Sequence, residues 1–524
     1  MKPTTEQKNI GQLTIAVKNI KVVAGAGCGK SSTLRYVAKQ VPARNVLVLT
    51  FNKANAEETM EHPDRPDNLF ACTIHSLAYR AIVDSFYKKK LGNWLDYNDI
   101  DQETIKKVIW RIGIAPTDER KALVLLRRSI IDTVKLFCQS ANKDVVSFAK
   151  SYLTWAFITN TDPLFKVPLS ENVVAELVSI TATYWMDLIE KPDTKINPDV
   201  YLKLFHLQGH SIKEVWSVEL KRYVTVQMLA LDEAQDSNGV TEAIFANQKH
   251  LQRIVVGDPN QQLYRWRGAG DTMNQFNDFS IGYLSTSFRF NNEIARMANI
   301  VLERNNSQLR LTGNSTRTDI VTKAILCRTN ATVLEIFFDM ITSGKLTDCR
   351  ETVTKHLGDT YTHGKLAIST DTKSTFAKMY HLEACWFDHT PKYPVPELSG
   401  ITDKKSMIEA LEYSDELQRL NNLRQKLVGM AGSLYKAQEM LKQYIAGTDD
   451  MPVVTISTIH GSKGMEYSHV TIADDFISIK EDEDIFEQVE YMWGNIDYRC
   501  MLYVALTRAM VSVTLPWYLE SSFE

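Results

Sequence analysis

The stretch from Ala24 to Ser31, AGAGCGKS, packs three glycines, a lysine and a serine into one short turn. Glycines at 25, 27 and 29 remove the Cβ atoms that would hold backbone N–H groups apart, so those donors can converge on phosphate oxygens. Lys30 then reaches the outer phosphates, and the Ser31 hydroxyl can ligate Mg2+. Much further along, the apolar run Met228 to Leu231 ends in Asp232-Glu233. A carboxylate at a strand end can hold Mg2+ through water, and its neighbour can orient and deprotonate an attacking water. Adjacent carboxylates on a loop are usually only solvated. These two become a catalytic pair if their strand shares a sheet with the phosphate loop.

The elements that must position these groups are readable. IKVVAGAGCGKSSTLRYVAKQ reads as strand, glycine-rich turn and helix, with the helix N-terminus aimed at the same anion. Ile254-Val255-Val256 reads as a short buried strand and is followed by GDPNQQLYRWRGAG (257–270). That segment opens as a turn, yet carries glutamines, a tyrosine, a tryptophan and two arginines. Its aromatics either fold into a core or hold something flat and anionic. Other strand-to-turn junctions follow in VLVLTFNKANAEE (46–58), ACTIHSLAYR (71–80), STSFRFNNEIARMANIVL (285–302), ILCRTNATVLEIFF (325–338) and VVTISTIHGSKGMEYSHVTIADDF (453–476). In MLYVALTRAMVSVTL (501–515) a helix exposes Thr507-Arg508 before a closing strand. A plain α/β connection does not explain why every one of these strand ends carries Thr, His, Arg or Lys.

A length of 524 residues suggests three or four domains at about 150 residues each. Hydrophobic residues at 44% and charged residues at 23% place the chain among ordinary soluble globular proteins. A net charge of −3 excludes a bulk basic field, so any nucleic-acid binding must come from local groups. Seven scattered cysteines without a CxxC pair argue for reduced thiols and against a zinc site or a disulfide framework. The polar start MKPTTEQKNI has no signal-peptide core, and no apolar run reaches the roughly 18 residues of a membrane span. The expectation is a soluble, non-secreted protein that is cytoplasmic, or nuclear in a eukaryote.

Taken together, SFRF, GDPNQQLYRWRGA, LCRTNA, IHGSKGMEY and YVALTRA resemble the superfamily 1 helicases of the UvrD/Rep type, closest to their F-box DNA helicase branch. The resemblance runs through the whole chain in order. No F-box precedes Gln7, so the ubiquitin-ligase link of that branch is not expected, nor is a nuclease domain after Arg508. The resemblance implies an α/β fold with two RecA-like P-loop NTPase domains facing each other across an ATP cleft, each carrying an inserted accessory domain. Residues 1–82 and 201–280 would form the first motor domain around an insertion at 83–200. Residues 281–343 and 446–524 would form the second around an insertion at 344–445. Apolar residues at helical spacing make the first insertion mainly helical, with a helix start at Pro116-Thr117-Asp118 and a return linker, EKPDTKINPD (190–199). The second is less regular, with a loop at HTPKYPVPELSG and then a helical stretch from Ser406 whose Met and Leu spacing reads as core or a partner-helix face rather than a cofactor box.

The resemblance also implies roles. Gln7 would read the adenine edge and Phe288 would stack on it. Gly25, Gly27, Gly29, Lys30, Ser31 and Ser32 would surround the phosphates, with Ser31 and Asp232 holding Mg2+. Ser32 stands where many relatives have an arginine, so one nucleotide contact is expected to be missing. Gln261 would sense the γ-phosphate, and Arg289 and Arg508 would supply cations to the transferring phosphoryl group. Glu466, after Gly464, would lie near the nucleotide sugar. Phe51, Lys53, His75, Tyr264, Trp266, Arg267, Thr458 and His460 would contact DNA, the flat side chains stacking on bases of any identity and the hydroxyls and amides holding phosphates. Arg265, where relatives often have glycine, would narrow or recharge that channel. Cys28, at a helix N-terminus that lowers a thiol pKa, is expected to be open to alkylation. The implied function is an ATP- and Mg2+-dependent single-stranded DNA translocase and helicase, 3′→5′, working in replication, repair or recombination on junctions with single-stranded tails. One alternative is a translocase that strips proteins such as recombinase filaments or single-strand-binding protein. Another is a nucleotide-dependent DNA-binding switch that does not translocate. RNA is a weaker track, because nothing here reads a 2′-OH.

Overall fold

The structure is a computed structural model that describes residues 2–523 apart from 51, 93–94, 96–99, 116–118, 160–167, 264–271, 320, 343–366, 370, 390, 392–394, 396–397, 399–400, 402, 445–453 and 478–483. It divides into two compact units. The first comprises Met1–Ala24, Lys30–Pro259 and Tyr264–Leu284; the second takes Gly25–Gly29, Asn260–Leu263 and Ser285–Glu524.

The strands of the first unit are β1 (Ile20–Ala24), β2 (Val46–Thr50), β3 (Leu69–Thr73), β4 (Glu214–Ser217), β5 (Arg222–Thr225), β6 (Met228–Leu231), β7 (Gln252–Gly257) and β8 (Ser280–Leu284). β4 and β5 form an antiparallel hairpin. The other six form a parallel sheet in the order β3-β2-β6-β7-β1-β8. β2, β6 and β7 are buried at every position. Such near-continuous apolar runs belong to parallel strands covered on both faces. Parallel pairing puts all the carboxyl ends on one edge, where ligands of open α/β sheets bind. β1, which leads into the phosphate loop, and β6, which ends at the carboxylates, are separated there only by β7.

The expected helical stretch is present. Helices cover Ser85–Lys90, Gln102–Arg111, Glu119–Gln139 and Val145–Thr154, the last continuing into a π-helical turn, Trp155–Thr159; a further helix covers Glu171–Glu190. The proposed start at 116–118 lies outside the described residues. The stretch 190–199 is not the slack linker that its composition suggests. Leu91 bridges Ile196, the Gly92 N–H donates to the Ile196 carbonyl at 2.9 Å, and the Ile196 N–H donates to the Lys90 carbonyl at 2.9 Å. The Lys90 ammonium, itself buried, donates to the Lys191 carbonyl. Asn197 then caps a helix that begins at Pro198 and runs to Leu207, a cap-plus-proline start that the polar composition hid.

In the second unit β9 (Thr286–Ser287) pairs with β10 (Thr312–Gly313). β11 (Lys323–Cys327), β12 (Ala367–Ser369), β13 (Thr455–Thr458), β14 (Tyr467–Ile472) and β15 (Ala509–Thr514) form a second parallel sheet, ordered β12-β13-β11-β14-β15. Two parallel sheets of this kind are consistent with RecA-like domains. Helices Asn330–Thr342, Lys404–Tyr413, Asp415–Ala431 and Leu434–Tyr444 place Phe337, Met407, Leu420, Leu423, Leu427, Leu434 and Leu441 in one core. The Met and Leu spacing is therefore core packing. A helix at Thr372–Trp386, capped by Asp371 onto the Ser374 N–H, was not legible in advance. The stretch 389–400 lies mostly outside the described residues. Among the described residues no helix is long and apolar enough to cross a membrane.

Phe337 is fully buried in that core. Phe337→Ala should lower the stability of the second unit by about 3–5 kcal/mol, measured by urea melting followed through a second-unit fluorophore. A loss near zero would contradict the packing.

Candidate nucleotide site

In the first unit the phosphate-loop lysine meets the carboxylates. Lys30 opens the helix Lys30–Gln40, and its Nζ lies 2.6 Å from Glu233 Oε2. Asp232 remains tied to the sheet, its N–H donating to the Leu49 carbonyl at 3.0 Å. The chain then turns sharply: Glu233 has a left-handed backbone, φ +50°, and its N–H donates to Asp232 Oδ1 at 3.0 Å. Left-handed backbone in a non-glycine residue is strained, by about 1–3 kcal/mol, and such strain clusters at functional sites. Burial, then the Glu233 charge, pushes the Asp232 carboxyl up to about 7, with Lys30 opposing. Burial acts to lower the Lys30 ammonium, but Glu233, Asp232 and Asp258 overcome it and raise its pKa. Ser31 is exposed on the first helical turn, and Ser32 accepts from Arg35 at 3.1 Å.

Gln7 is buried and its amide is engaged at both ends. Oε1 accepts from the Thr4 N–H at 3.0 Å, and Nε2 donates to Thr33 Oγ1 at 3.1 Å. It thus staples the helix Thr5–Ile15 to the helix that follows the phosphate loop. Cys28, expected to be open to alkylation, is 2% exposed, with Sγ directed at the Ala26 carbonyl. The tight turn that presents the N–H groups also folds this thiol inward.

The second unit gathers the other expected nucleotide residues around the Gly25–Gly29 turn. Gly27 and Gly29 are left-handed, φ +69° and +78°. A Cβ on Gly27 would stand 2.6 Å from both Ser287 Oγ and Arg289 Cβ, so only glycine fits. The Gly27 carbonyl accepts from the Phe288 N–H at 2.9 Å, and Tyr503 Oη accepts from the Ala26 N–H at 3.4 Å. Arg289 donates through Nε to Glu466 Oε1 at 2.8 Å and through Nη1 to the Thr507 carbonyl at 2.9 Å. Arg508 and Thr507 are not exposed as expected: Arg508 is 2% accessible and Thr507 is fully buried. Acceptors inside the fold hold it there, for Arg508 reaches the Val504 and Met465 carbonyls and Gln261 Oε1, each at 3.3 Å. Lys463 adds a bond from Nζ to the Gln261 carbonyl at 3.1 Å, beside the left-handed Gly464. Gln261, Arg289, Glu466 and Arg508 therefore share one hydrogen-bonded neighbourhood whose fixed cations suit a polyphosphate.

The expected DNA contacts divide. Phe51, Tyr264, Trp266 and Arg267, with Arg265, lie outside the described residues. Lys53 is exposed and pairs with Glu57 at 3.1 Å. His75 Nε2 lies 3.2 Å from Asp199 Oδ1, and Gln139 donates to the other oxygen at 3.2 Å. Burial raises the Asp199 carboxyl, but the His75 and Gln139 bonds outweigh it and hold the group low. In the second unit Thr458 Oγ1 accepts from the Gly461 N–H at 3.1 Å, and His460 Nε2 lies 3.1 Å from the Leu263 carbonyl. The sequence reading missed Gln235, Lys463 and Tyr503. All three lie inside stretches singled out for other residues, and only the folded geometry separates them from their neighbours.

Among the described residues no group of three or more His, Cys, Asp or Glu could by itself hold a metal ion. One buried carboxylate, Asp232, and one exposed hydroxyl, Ser31, are instead the sparse donor set that suits Mg2+, which keeps waters and shares phosphate oxygens rather than sitting in an all-protein cage.

Residues 4–280 match the UvrD/REP helicase N-terminal domain. The chain is 26% identical over 532 residues to F-box DNA helicase 1 of Gallus gallus, covering 96% of this chain and 47% of that protein. It is 26% identical over 322 residues to F-box DNA helicase protein 1 of Schizosaccharomyces pombe (59% and 34% covered). It is 24% identical over 310 residues to the ATP-dependent DNA helicase PcrA of Bacillus subtilis (55% and 38% covered). The chain spans less than half the length of each of these relatives.

The raised Asp232 carboxyl has a consequence for stability. The unfolded chain ionises it in the ordinary carboxylate range, the folded chain only around 7, so folding weakens as pH rises between those values. Nucleotide-free Asp232→Asn should melt higher than the wild type at pH 8, with the difference shrinking to nothing as pH falls to about 4. Equal melting temperatures at pH 8 would contradict the buried charge.

Proposed function

The chain belongs to the UvrD/REP helicase family, and from that premise we propose that it is an ATP-dependent single-stranded DNA translocase and DNA helicase that moves 3′→5′. The observation that carries this reading is the placement of Lys30 against Glu233, beside Asp232, at the carboxyl edge of a parallel sheet. The hydrogen bonds that hold Arg508 on Gln261 and Arg289 on the Thr507 carbonyl, with Arg289 packed at Gly27, support it. In this proposal residues 1–82 and 201–280 form one motor domain and 281–343 with 446–524 the other, with accessory insertions at 83–200 and 344–445.

Lys30 binds the outer phosphates and releases Glu233 in doing so. Glu233 orients the attacking water and takes its proton. Arg289 and Arg508 hold the charge that grows on the equatorial oxygens as the bond to the leaving phosphate breaks. Asp232 and Ser31 would hold Mg2+, which supplies charge neutralisation between the phosphates. His75, Thr458 and His460 contact the strand, with Phe51, Tyr264, Trp266 and Arg267 as its stacking and phosphate contacts.

The test is ATP hydrolysis with and without single-stranded DNA, beside unwinding of duplexes carrying a 3′ or a 5′ tail. Hydrolysis that DNA does not stimulate would overturn the reading; unwinding only from 5′ tails would overturn the polarity. Lys30→Ala should weaken ATP binding and hydrolysis together. Glu233→Gln should keep binding and slow hydrolysis by about a hundredfold or more. Arg508→Ala should bind ATP but lose DNA stimulation. Trp266→Ala should keep ATP affinity and weaken single-strand binding by about 1–3 kcal/mol, with the melting temperature unchanged.

A further inference from the structure

We propose that Gln235 is the positioning residue that aims Glu233, the catalytic carboxylate, by tying it to the end of β7. The inference rests on the assignment of Glu233 as general base.

Gln235 lies in a 3-10 turn, Ala234–Asp236, and is 2% exposed. Its Nε2 donates to Glu233 Oε2 at 2.6 Å, and its Oε1 accepts from the Asp258 N–H at 3.0 Å. One side chain therefore joins the turn that follows β6 to the residue that follows β7, two strands paired in register from Met228↔Gln252 to Leu231↔Val255. A carboxamide offers an uncharged donor and acceptor side by side at the end of a long side chain. Lysine would lose the second bond, and leucine or methionine both.

The neighbourhood is shaped to this side chain. A Cβ on Gly257 would stand 2.5 Å from Gln235 Oε1 and 3.3 Å from the Ala234 nitrogen. Glycine at 257 is what lets the amide reach the Asp258 N–H. The left-handed backbone of Glu233 places its carboxylate outside regular structure, so side-chain bonds must fix its direction. Two donors share Oε2: Lys30 and Gln235, each at 2.6 Å. Lys30, once it turns to phosphate, gives up its bond, and Gln235 then keeps the carboxylate aimed at the attacking water.

The decisive variant is Gln235→Met. It is nearly isosteric and uncharged, and it removes the donor to Glu233 together with the acceptor for Asp258. Its kcat for DNA-stimulated ATP hydrolysis should fall about 10- to 100-fold, the worth of a hydrogen bond to a charged group. KM for ATP, single-strand affinity and melting temperature should stay near wild type. Gly257→Ala, which touches no nucleotide residue, should lower kcat in the same way by displacing the amide. Turnover within twofold of wild type in Gln235→Met overturns the proposal. So does a parallel loss of kcat, KM and melting temperature, which marks a structural brace. A wild-type chain without DNA-stimulated hydrolysis would instead overturn the functional reading, and the two failures are distinguishable on one plate.

Discussion

Two neighbouring carboxylates share one ammonium at the edge of the first sheet. Asp232 and Glu233 sit within reach of Lys30, and Asp232 is buried enough that its proton is held to about pH 7. Bringing like charges together in poor solvent is unfavourable unless cations answer them. The order of the six strands serves this constraint: it sets the ends of β1 and β6 on one edge with a single strand between them. The left-handed turn at Glu233 serves it too, by swinging the second carboxylate away from the ladder and toward Lys30. Lys30 answers Glu233 directly, at 2.6 Å.

The second unit states the complementary condition. Arg289, Arg508 and Lys463 are held by backbone carbonyls and by Gln261 and Glu466 rather than left in solvent. Guanidinium groups pinned in this way need little reorganisation when negative charge arrives. Under the proposed function, burial of Arg508 would be preparation for that charge. An arginine waving in water would lose side-chain freedom at the moment of use.

Strand ends were the most legible part of the chain. Buried parallel strands need continuous apolar runs, so Met228 to Leu231 and Ile254 to Val256 announced themselves, as did the glycines that the phosphate turn requires. What stayed hidden depends on partners distant in sequence. Gln235 looked like any polar loop residue until Asp258 and Gly257 stood beside it. Arg508 looked exposed because its acceptors come from Met465 and Gln261, which no local pattern connects to it. The stretch 190–199 read as a linker because its composition is polar and proline-containing. Its order comes from Leu91 and Lys90, about a hundred residues earlier, and loop closure over that distance leaves no periodic trace.

The pairing of Lys90, Leu91 and Gly92 with Ile196 means that the helical stretch between them begins and ends side by side within the first unit. By its ends it is a cassette, of the kind that chains can gain or lose in one step because the gap left behind is already closed. By its core it is not. Leu126, Val134, Phe137 and Trp185 of the stretch belong to the same hydrophobic cluster as Leu47, Leu49, Leu229 and Val255 of the sheet. Excision would reseal the backbone and at the same time strip the cover from strands that must stay dry. An element that is easy to insert has, through its packing, become impossible to remove without repainting the face beneath it.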